Sequence, residues 1–229
     1  MLIGGFQKMT VLDYPGKVAC TVFFAGCNLR CPFCHNASLV MDNWISGVDE
    51  GEIFAYLEKR KGLLDGVCIT GGEPLLNEEI EDFIRRIKDM GYLVKLDTNG
   101  TNPKMLRRLI KNGLVDYVAM DIKNSAEKYA MTCGVKAVNF TKIEESINLL
   151  IGGNIDYEFR TTVVEPLHTT EDIEAVGKLV KGAKALYLQG FVDSGELIGE
   201  GMRSADKATM QAMLEAAKPY VLHAELRGV

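Results

Sequence analysis

The chain alternates between two hydrophobic rhythms. Short runs dense in apolar and β-branched residues occur at Val18–Phe24, Val67–Thr70, Leu93–Asp97, Tyr117–Asp121, Tyr157–Val163 and Ala185–Gln189, as expected of strands buried on both faces. Longer stretches have one apolar stripe and one charged face: Glu50–Lys61, Asn77–Met90, Pro103–Asn112, Thr141–Ile151, Thr170–Val180 and Asp206–Ala217. Ile80, Phe83, Ile84 and Ile87 recur at helical spacing, so this segment predicts an amphipathic helix. Gly91, Gly113 and Gly152-Gly153 follow three of these helices, where a left-handed residue commonly ends the last turn. Pro103 suits a first turn.

Strand–helix alternation predicts parallel strands joined by right-handed crossovers. Six units fall short of the eight that close a complete barrel. The expected fold is therefore α/β, a partial (β/α)6 barrel, with polar motifs recurring just after strands. No Ser/Pro-rich linker or repeat divides the sequence, so one domain over residues 1–229 is expected. With 47% apolar residues the chain can fill one core. Its net charge of −5 gives no general reason to expect nucleic-acid binding. Val18–Cys27 is too short to span a bilayer. Met1–Lys8 lacks the basic start and apolar stretch of a secretory signal, so a cytoplasmic protein without membrane attachment is expected.

Six cysteines in a core-rich chain of this length suggest metal or redox chemistry before disulfides. Three of them, Cys27, Cys31 and Cys34, fall within eight residues directly after the first strand, on a loop containing Pro32. Soft, anionic thiolates suit iron–sulfur clusters. Three ligands on a four-iron cube would leave one iron open to a cofactor or substrate. Structural zinc is the competing reading, but it normally takes four protein ligands, and His35 is awkwardly adjacent to Cys34. Cys20 and Cys68 sit in apolar strand patterns and read as small buried hydrophobes. Cys133, in Met131-Thr-Cys-Gly134, reads as a loop residue with no assigned role.

Other strand ends carry polar groups. After the second strand, Thr70-Gly71-Gly72-Glu73-Pro74 combines glycines that permit close backbone approach with a carboxylate suited to an ammonium group. Asp97-Thr98-Asn99-Gly100 ends the third strand, either as a simple turn or as a cofactor rim. Asp121 and Lys123 share one face at the end of the fourth. Arg160 in the fifth needs a partner or solvent. His168 reads first as a surface histidine and second as a group positioning a cofactor or an incoming loop. Gln189 could line the rim.

Cys27-x3-Cys31-x-Phe33-Cys34 resembles the cluster motif of the radical S-adenosylmethionine (SAM) superfamily. The opening Gly4-Gly-Phe-Gln-Lys-Met-Thr-Val-Leu-Asp13-Tyr-Pro-Gly-Lys17, together with Cys27–Asn36, resembles its glycyl-radical enzyme activating branch, anaerobic ribonucleoside-triphosphate reductase activating proteins above all. The resemblance implies a 4Fe–4S cluster held by Cys27, Cys31 and Cys34, with S-adenosylmethionine on the fourth iron. It implies Gly72 and Glu73 at the methionyl amine and Phe33 near the adenine. Asp97, Thr98, Asn99, Asp121 and Lys123 would contact the cofactor or, as in some members, lie near a monovalent cation, and Arg160 would face the cofactor carboxylate or the cluster's vicinity. The implied partners are a glycyl-radical enzyme, foremost an anaerobic ribonucleoside-triphosphate reductase, and an electron donor such as a flavodoxin or ferredoxin.

Overall fold

The computed structural model describes residues 1–41, 47–193 and 195–229. The chain divides into two compact units: residues 1–28, 38–98 and 104–118 form the first, and residues 29–37, 99–103 and 119–229 the second.

In the first unit, β1 (Ile3–Thr10) pairs antiparallel with β2 (Ala19–Phe24), and β2, β3 (Gly66–Gly71) and β4 (Leu93–Thr98) follow in parallel. The central segments of β2, β3 and β4 are almost wholly buried, in accord with their unbroken apolar runs. After the short helix α1 (Ala37–Val40) come α2 (Glu50–Lys59), α3 (Ile80–Asp89) and α4 (Pro103–Lys111). Helix α3 turns Ile80, Phe83, Ile84 and Ile87 into the core, and Phe83 meets Phe24 edge-on at 5.6 Å. Asp49 caps α2 through its side chain.

Strand β5 (Tyr117–Asp121) carries the chain into the second unit. There α5 (Tyr129–Thr132), α6 (Phe140–Ile151), α7 (Thr170–Leu179) and α8 (Lys207–Ala217) accompany the parallel strands β6 (Asp156–Val163), β7 (Leu186–Gly190) and β8 (Ala224–Arg227). Thr169 and Asp172 close a reciprocal capping box at the start of α7.

The six expected strands and six expected helices are all present. Strands β1 and β8 and helices α1 and α5 are additions. In β1, Ile3 and Thr10 are buried while Gln7, Lys8 and Met9 are exposed, so it lacks the continuous apolar run that marked the others. Gly91 and Gly113 take φ values of 90° and 65° as expected, but Gly152 stays right-handed at −82°. Its N–H still reaches the Asn148 carbonyl, so the helical turn continues through it. Among the described residues, no helix is long and apolar enough to cross a membrane.

Candidate active site

The expected site residues are divided between the two units. Cys27, Gly72, Glu73, Asp97 and Thr98 belong to the first; Cys31, Phe33, Cys34, Asn99, Asp121, Lys123 and Arg160 belong to the second.

In the first unit the Gly-Gly turn is a backbone-to-backbone joint. Gly71 adopts φ 117°, and a Cβ there would lie 2.3 Å from the Phe24 backbone. Gly72 N donates to the Phe24 carbonyl at 2.8 Å, and Glu73 N donates to the Gly26 carbonyl at 2.8 Å. A Cβ on Gly72 would meet that Gly26 oxygen at 1.9 Å and the Cys27 Cβ at 3.4 Å. The glycines thus seat the chain against the residues that open the cysteine loop. Glu73 is wholly buried rather than solvated. Its carboxylate caps the 3-10 turn at Pro74–Leu76 by accepting from Leu75 N at 3.1 Å, and it accepts from Thr98 Oγ1 at 2.8 Å. Asp97 is paired with Lys95, a lysine almost entirely enclosed by β4 and its neighbours.

In the second unit the cysteine loop is clamped from several directions. Arg30 N donates to the Cys133 carbonyl at 2.9 Å, and Gly134, at φ 64°, lies so close that a Cβ would sit 2.0 Å from the Arg30 oxygen. Gly199 N donates to the Pro32 carbonyl at 2.8 Å. Phe33 is buried with its ring 6.4 Å from that of His168, and the rings of His35 and Phe191 are 5.6 Å apart. Cys34 N turns back to the Cys31 carbonyl at 3.0 Å.

The electrostatics of this loop favour an anion at Cys31. A hydrogen bond from Cys133, aided by nearby Lys123 and opposed by burial, brings the Cys31 thiol down to about 7. Burial raises the Cys34 thiol, while Lys123 pulls the other way. Burial alone would raise the Asp121 carboxyl, but Arg160 and Lys123 outweigh it and hold it well below the usual carboxylate range. Asp121 receives Lys123 Nζ at 3.0 Å on Oδ2, and Arg160 Nε and an outer guanidinium nitrogen at 3.0 Å on Oδ1. Burial likewise opposes the charged form of Lys123, yet Asp121 and Cys31 keep it firmly protonated. Arg160 therefore has a carboxylate partner rather than an exposed strand edge.

Asn99 folds back on its own turn: its Oδ1 accepts from Thr101 N at 3.0 Å and from Thr101 Oγ1 at 2.7 Å. His168 is not a surface residue. Only 4% of it is exposed; Nε2 donates to the Lys123 carbonyl at 2.8 Å, and Nδ1 lies 3.1 Å from Val164 N, from which it accepts in the neutral ring, and 3.2 Å from the Val164 carbonyl. Burial lowers the ring's pKa and so favours the neutral form. Sequence reasoning underrated His168 and Cys133 because neither lies in a recognisable spacing; Pro166 two residues before His168 offered only a turn signal. Gln189 lies half-buried at the end of β7.

Among the described residues, no three His, Cys, Asp or Glu side chains converge as they would around a single metal ion. A four-iron cube instead takes each thiolate on a different iron, so the sulfurs need not crowd round one point. The donor chemistry fits that group: soft thiols, one of them poised to ionise near neutrality, on a loop anchored through its backbone.

The Radical SAM superfamily profile matches residues 21–181. This chain belongs to the radical SAM superfamily. It is 37% identical over 196 residues, 83% of its own length and 80% of the relative's, to a protein of Methanocaldococcus jannaschii named as a glycyl-radical enzyme activating enzyme. It is 34% identical over 131 residues to the pyruvate formate-lyase-activating enzyme of Clostridium pasteurianum, covering 53% of this chain and 52% of that one. In structure it is similar to Streptococcus suis SuiB bound to S-adenosylmethionine, with a TM-score of 0.69 at 13% identity over 91% of this chain and 52% of the other. At that identity the likeness concerns the fold, which is the α/β, mostly parallel architecture of radical SAM partial barrels. Membership implies a 4Fe–4S cluster and S-adenosylmethionine, and these two curated relatives bear the names of activating enzymes.

Proposed function

We propose that this chain activates a glycyl-radical enzyme, and that its partner is an anaerobic ribonucleoside-triphosphate reductase. The observation that carries the activase reading is the 37% identity spread over most of both chains to a relative bearing that name. The reductase assignment rests on the resemblance of Gly4–Lys17 and Cys27–Asn36 to that subgroup.

In this reading Cys27, Cys31 and Cys34 ligate three irons of the cluster. When bound, the cluster and S-adenosylmethionine supply an electron and a carbon-centred radical able to take a hydrogen atom. The chain's own residues bind, orient and enclose. Glu73 holds the methionyl ammonium with its carboxylate, itself fixed by Thr98 and Leu75 N. Asp97, Asn99, Asp121, Lys123 and Arg160 position the rest of the cofactor, and Phe33 borders the adenine. Within the first unit Asp97 is paired with Lys95, and within the second Asp121 is paired with Lys123 and Arg160. A flavodoxin or ferredoxin delivers the electron in the cytoplasm, and the partner presents a flexible glycine loop.

The test is anaerobic incubation with the reductase, S-adenosylmethionine and reductant, followed by electron paramagnetic resonance. A glycine-centred radical should form, and deuterium at that glycine's Cα should appear in 5′-deoxyadenosine. Cofactor cleavage without a radical in any glycyl-radical enzyme would refute the activase reading. A radical in another such enzyme, but none in the reductase, would refute only the partner assignment. Replacing Cys27, Cys31 or Cys34 by Ala should abolish both cluster loading and cleavage; unchanged iron in any one variant would remove that residue from the ligand set.

A further inference from the structure

Lys95 places an ammonium group in the interior of the first unit. It is the third residue of β4 and is wholly buried. The parallel register makes Thr21, Cys68 and Lys95 Cα partners across β2, β3 and β4, so the three form one row on one face of the sheet. Both neighbours in that row are buried and neither offers a charge. Burial pushes the Cys68 thiol up to about 12, and the Thr21 hydroxyl is spent on the Asp13 carboxylate at 2.5 Å. Beside Cys68 the surroundings turn apolar, with Tyr14, Ala19, Leu93 and Tyr117 packed together. Lys95 Nζ instead binds Asp97 Oδ1, two residues along the same strand and hence on the same face. A buried ion pair repays its desolvation poorly, and an apolar side chain of similar length would commonly serve the fold as well. Packing alone therefore does not account for the lysine.

We infer that Lys95 is a positioning residue that fixes the Asp97 carboxylate for S-adenosylmethionine. The pair has a direction: the lysine side chain is 2% exposed and the aspartate side chain 17%. Lys95 is thus the enclosed support, and Asp97 is the member that a ligand can reach. The lysine stem is held by the strands around it, so its grip on Oδ1 sets the rotation of the Asp97 carboxylate. The next residue of β4 does the same for a second carboxylate, because Thr98 Oγ1 donates to Glu73 Oε1 at 2.8 Å. One strand therefore anchors both acidic groups that the first unit offers to the cofactor. Side chains held in this way by neighbours behind them present a defined geometry to a ligand at small entropic cost.

The inference rests on the reading of Asp97 as a cofactor contact, and a double-mutant cycle separates the two. Wild-type, Lys95→Met, Asp97→Asn and doubly substituted proteins are reconstituted anaerobically and matched for iron and sulfide. Their affinity for S-adenosylmethionine is then measured by equilibrium dialysis without reductant, so that no turnover is involved. Lys95→Met should weaken binding by about three- to tenfold, within the range of coupling between groups in contact. Asp97→Asn should weaken it at least as much. In the Asp97→Asn background, replacing the lysine should weaken binding no further, because the carboxylate it holds is gone. Should Lys95→Met fail to fold, Lys95→Gln, shorter and uncharged, makes the same comparison. Unchanged or tighter binding in a folded Lys95 variant would overturn the inference. So would an equal loss in both backgrounds, which would make the lysine a support of the fold and not of Asp97. Unaltered affinity in Asp97→Asn alone would instead remove Asp97 from the cofactor's contacts and defeat the underlying reading.

Discussion

Gly72 offers the sharpest test of how the first unit supports the cysteine loop. In Gly72→Ala, the new methyl group would sit 1.9 Å from the Gly26 oxygen and 2.7 Å from its carbonyl carbon. Ordinary contact begins near 3.4 Å, so one backbone segment must yield by about 1.5 Å. Both partners are constrained: Gly26 accepts from Glu73 N, and Gly72 donates to Phe24. Overpacking of this kind costs about 1–3 kcal/mol. Loss of the Glu73–Gly26 hydrogen bond adds about 0.5–1.5 kcal/mol. Together these give roughly 2–4 kcal/mol, or about 5–15 °C in Tm for a chain of this size. Because Cys27 is the next residue, iron loading should fall as well. Gly62→Ala is the control: its φ is 77° but nothing lies within 4 Å, so it should cost stability through the backbone alone and leave iron content intact. Anaerobic thermal unfolding of the apoprotein and iron–sulfide analysis after reconstitution measure the two effects. A Gly72→Ala protein melting within about 1 °C of wild type with a full cluster would refute the packing argument.

Further outcomes follow from the same geometry. Glu73→Gln keeps the shape but removes the charge; at matched cluster loading, S-adenosylmethionine affinity should weaken by about ten- to a hundredfold, the worth of a charged hydrogen bond of about 1.5–3 kcal/mol, and equal affinity would exclude direct contact. His168 has a pKa depressed below its unfolded value, so it favours the folded state fully above about pH 6.5, and that contribution declines as pH falls below it. Denaturant unfolding between pH 7.5 and 5 should show this slope, and His168→Gln should flatten it; identical slopes would discount the neutral-histidine tie. Arg160→Met strips one cation from a partly buried carboxylate, and a cost of about 1–3 kcal/mol is expected by chemical denaturation; a change under about 0.5 kcal/mol would mean Lys123 alone satisfies Asp121.

The six central strands were legible because burial on both faces forces continuous apolar runs, and the matching helices because a single buried face forces a 3.6-residue period. Strand β1 was not: only Ile3 and Thr10 of its eight residues are buried, and its glycines resemble a flexible start. Helix α5 has only four residues, too few for periodicity to register. At the site, the chemical types were visible but their local partners were not. Close backbone approach at Gly71-Gly72 was legible, but that the Gly26 carbonyl is the group packed there was not. Arg160 announced that it needed a counterion, but only the third dimension names Asp121, 39 residues earlier. Cys133 and His168 carry no motif because each acts through a contact made after folding.

The charge arithmetic of the second unit explains why so costly an arrangement is placed beside the cysteines. Asp121 faces two cations, Lys123 and Arg160, leaving one positive charge in excess within that triad. Buried ion pairs repay their desolvation poorly, and an apolar set of similar volume would commonly be at least as stable. Stability alone therefore does not account for the triad. Lys123 lowers the thiol pKa of both Cys31 and Cys34, so its field acts where anionic sulfur is required. Once Cys31 ionises, its negative charge balances the excess, and the same thiolate further stabilises protonated Lys123. The triad and the thiolate are thus mutually supporting, with Asp121 holding the lysine in place and the lysine holding the sulfur in its ligating form. On this argument Lys123→Met should reduce cluster assembly more at pH 7 than at pH 8.5, because higher pH restores the thiolate that the lost cation no longer favours. Equal deficits at both values would mean that Lys123 serves the fold and not the sulfur.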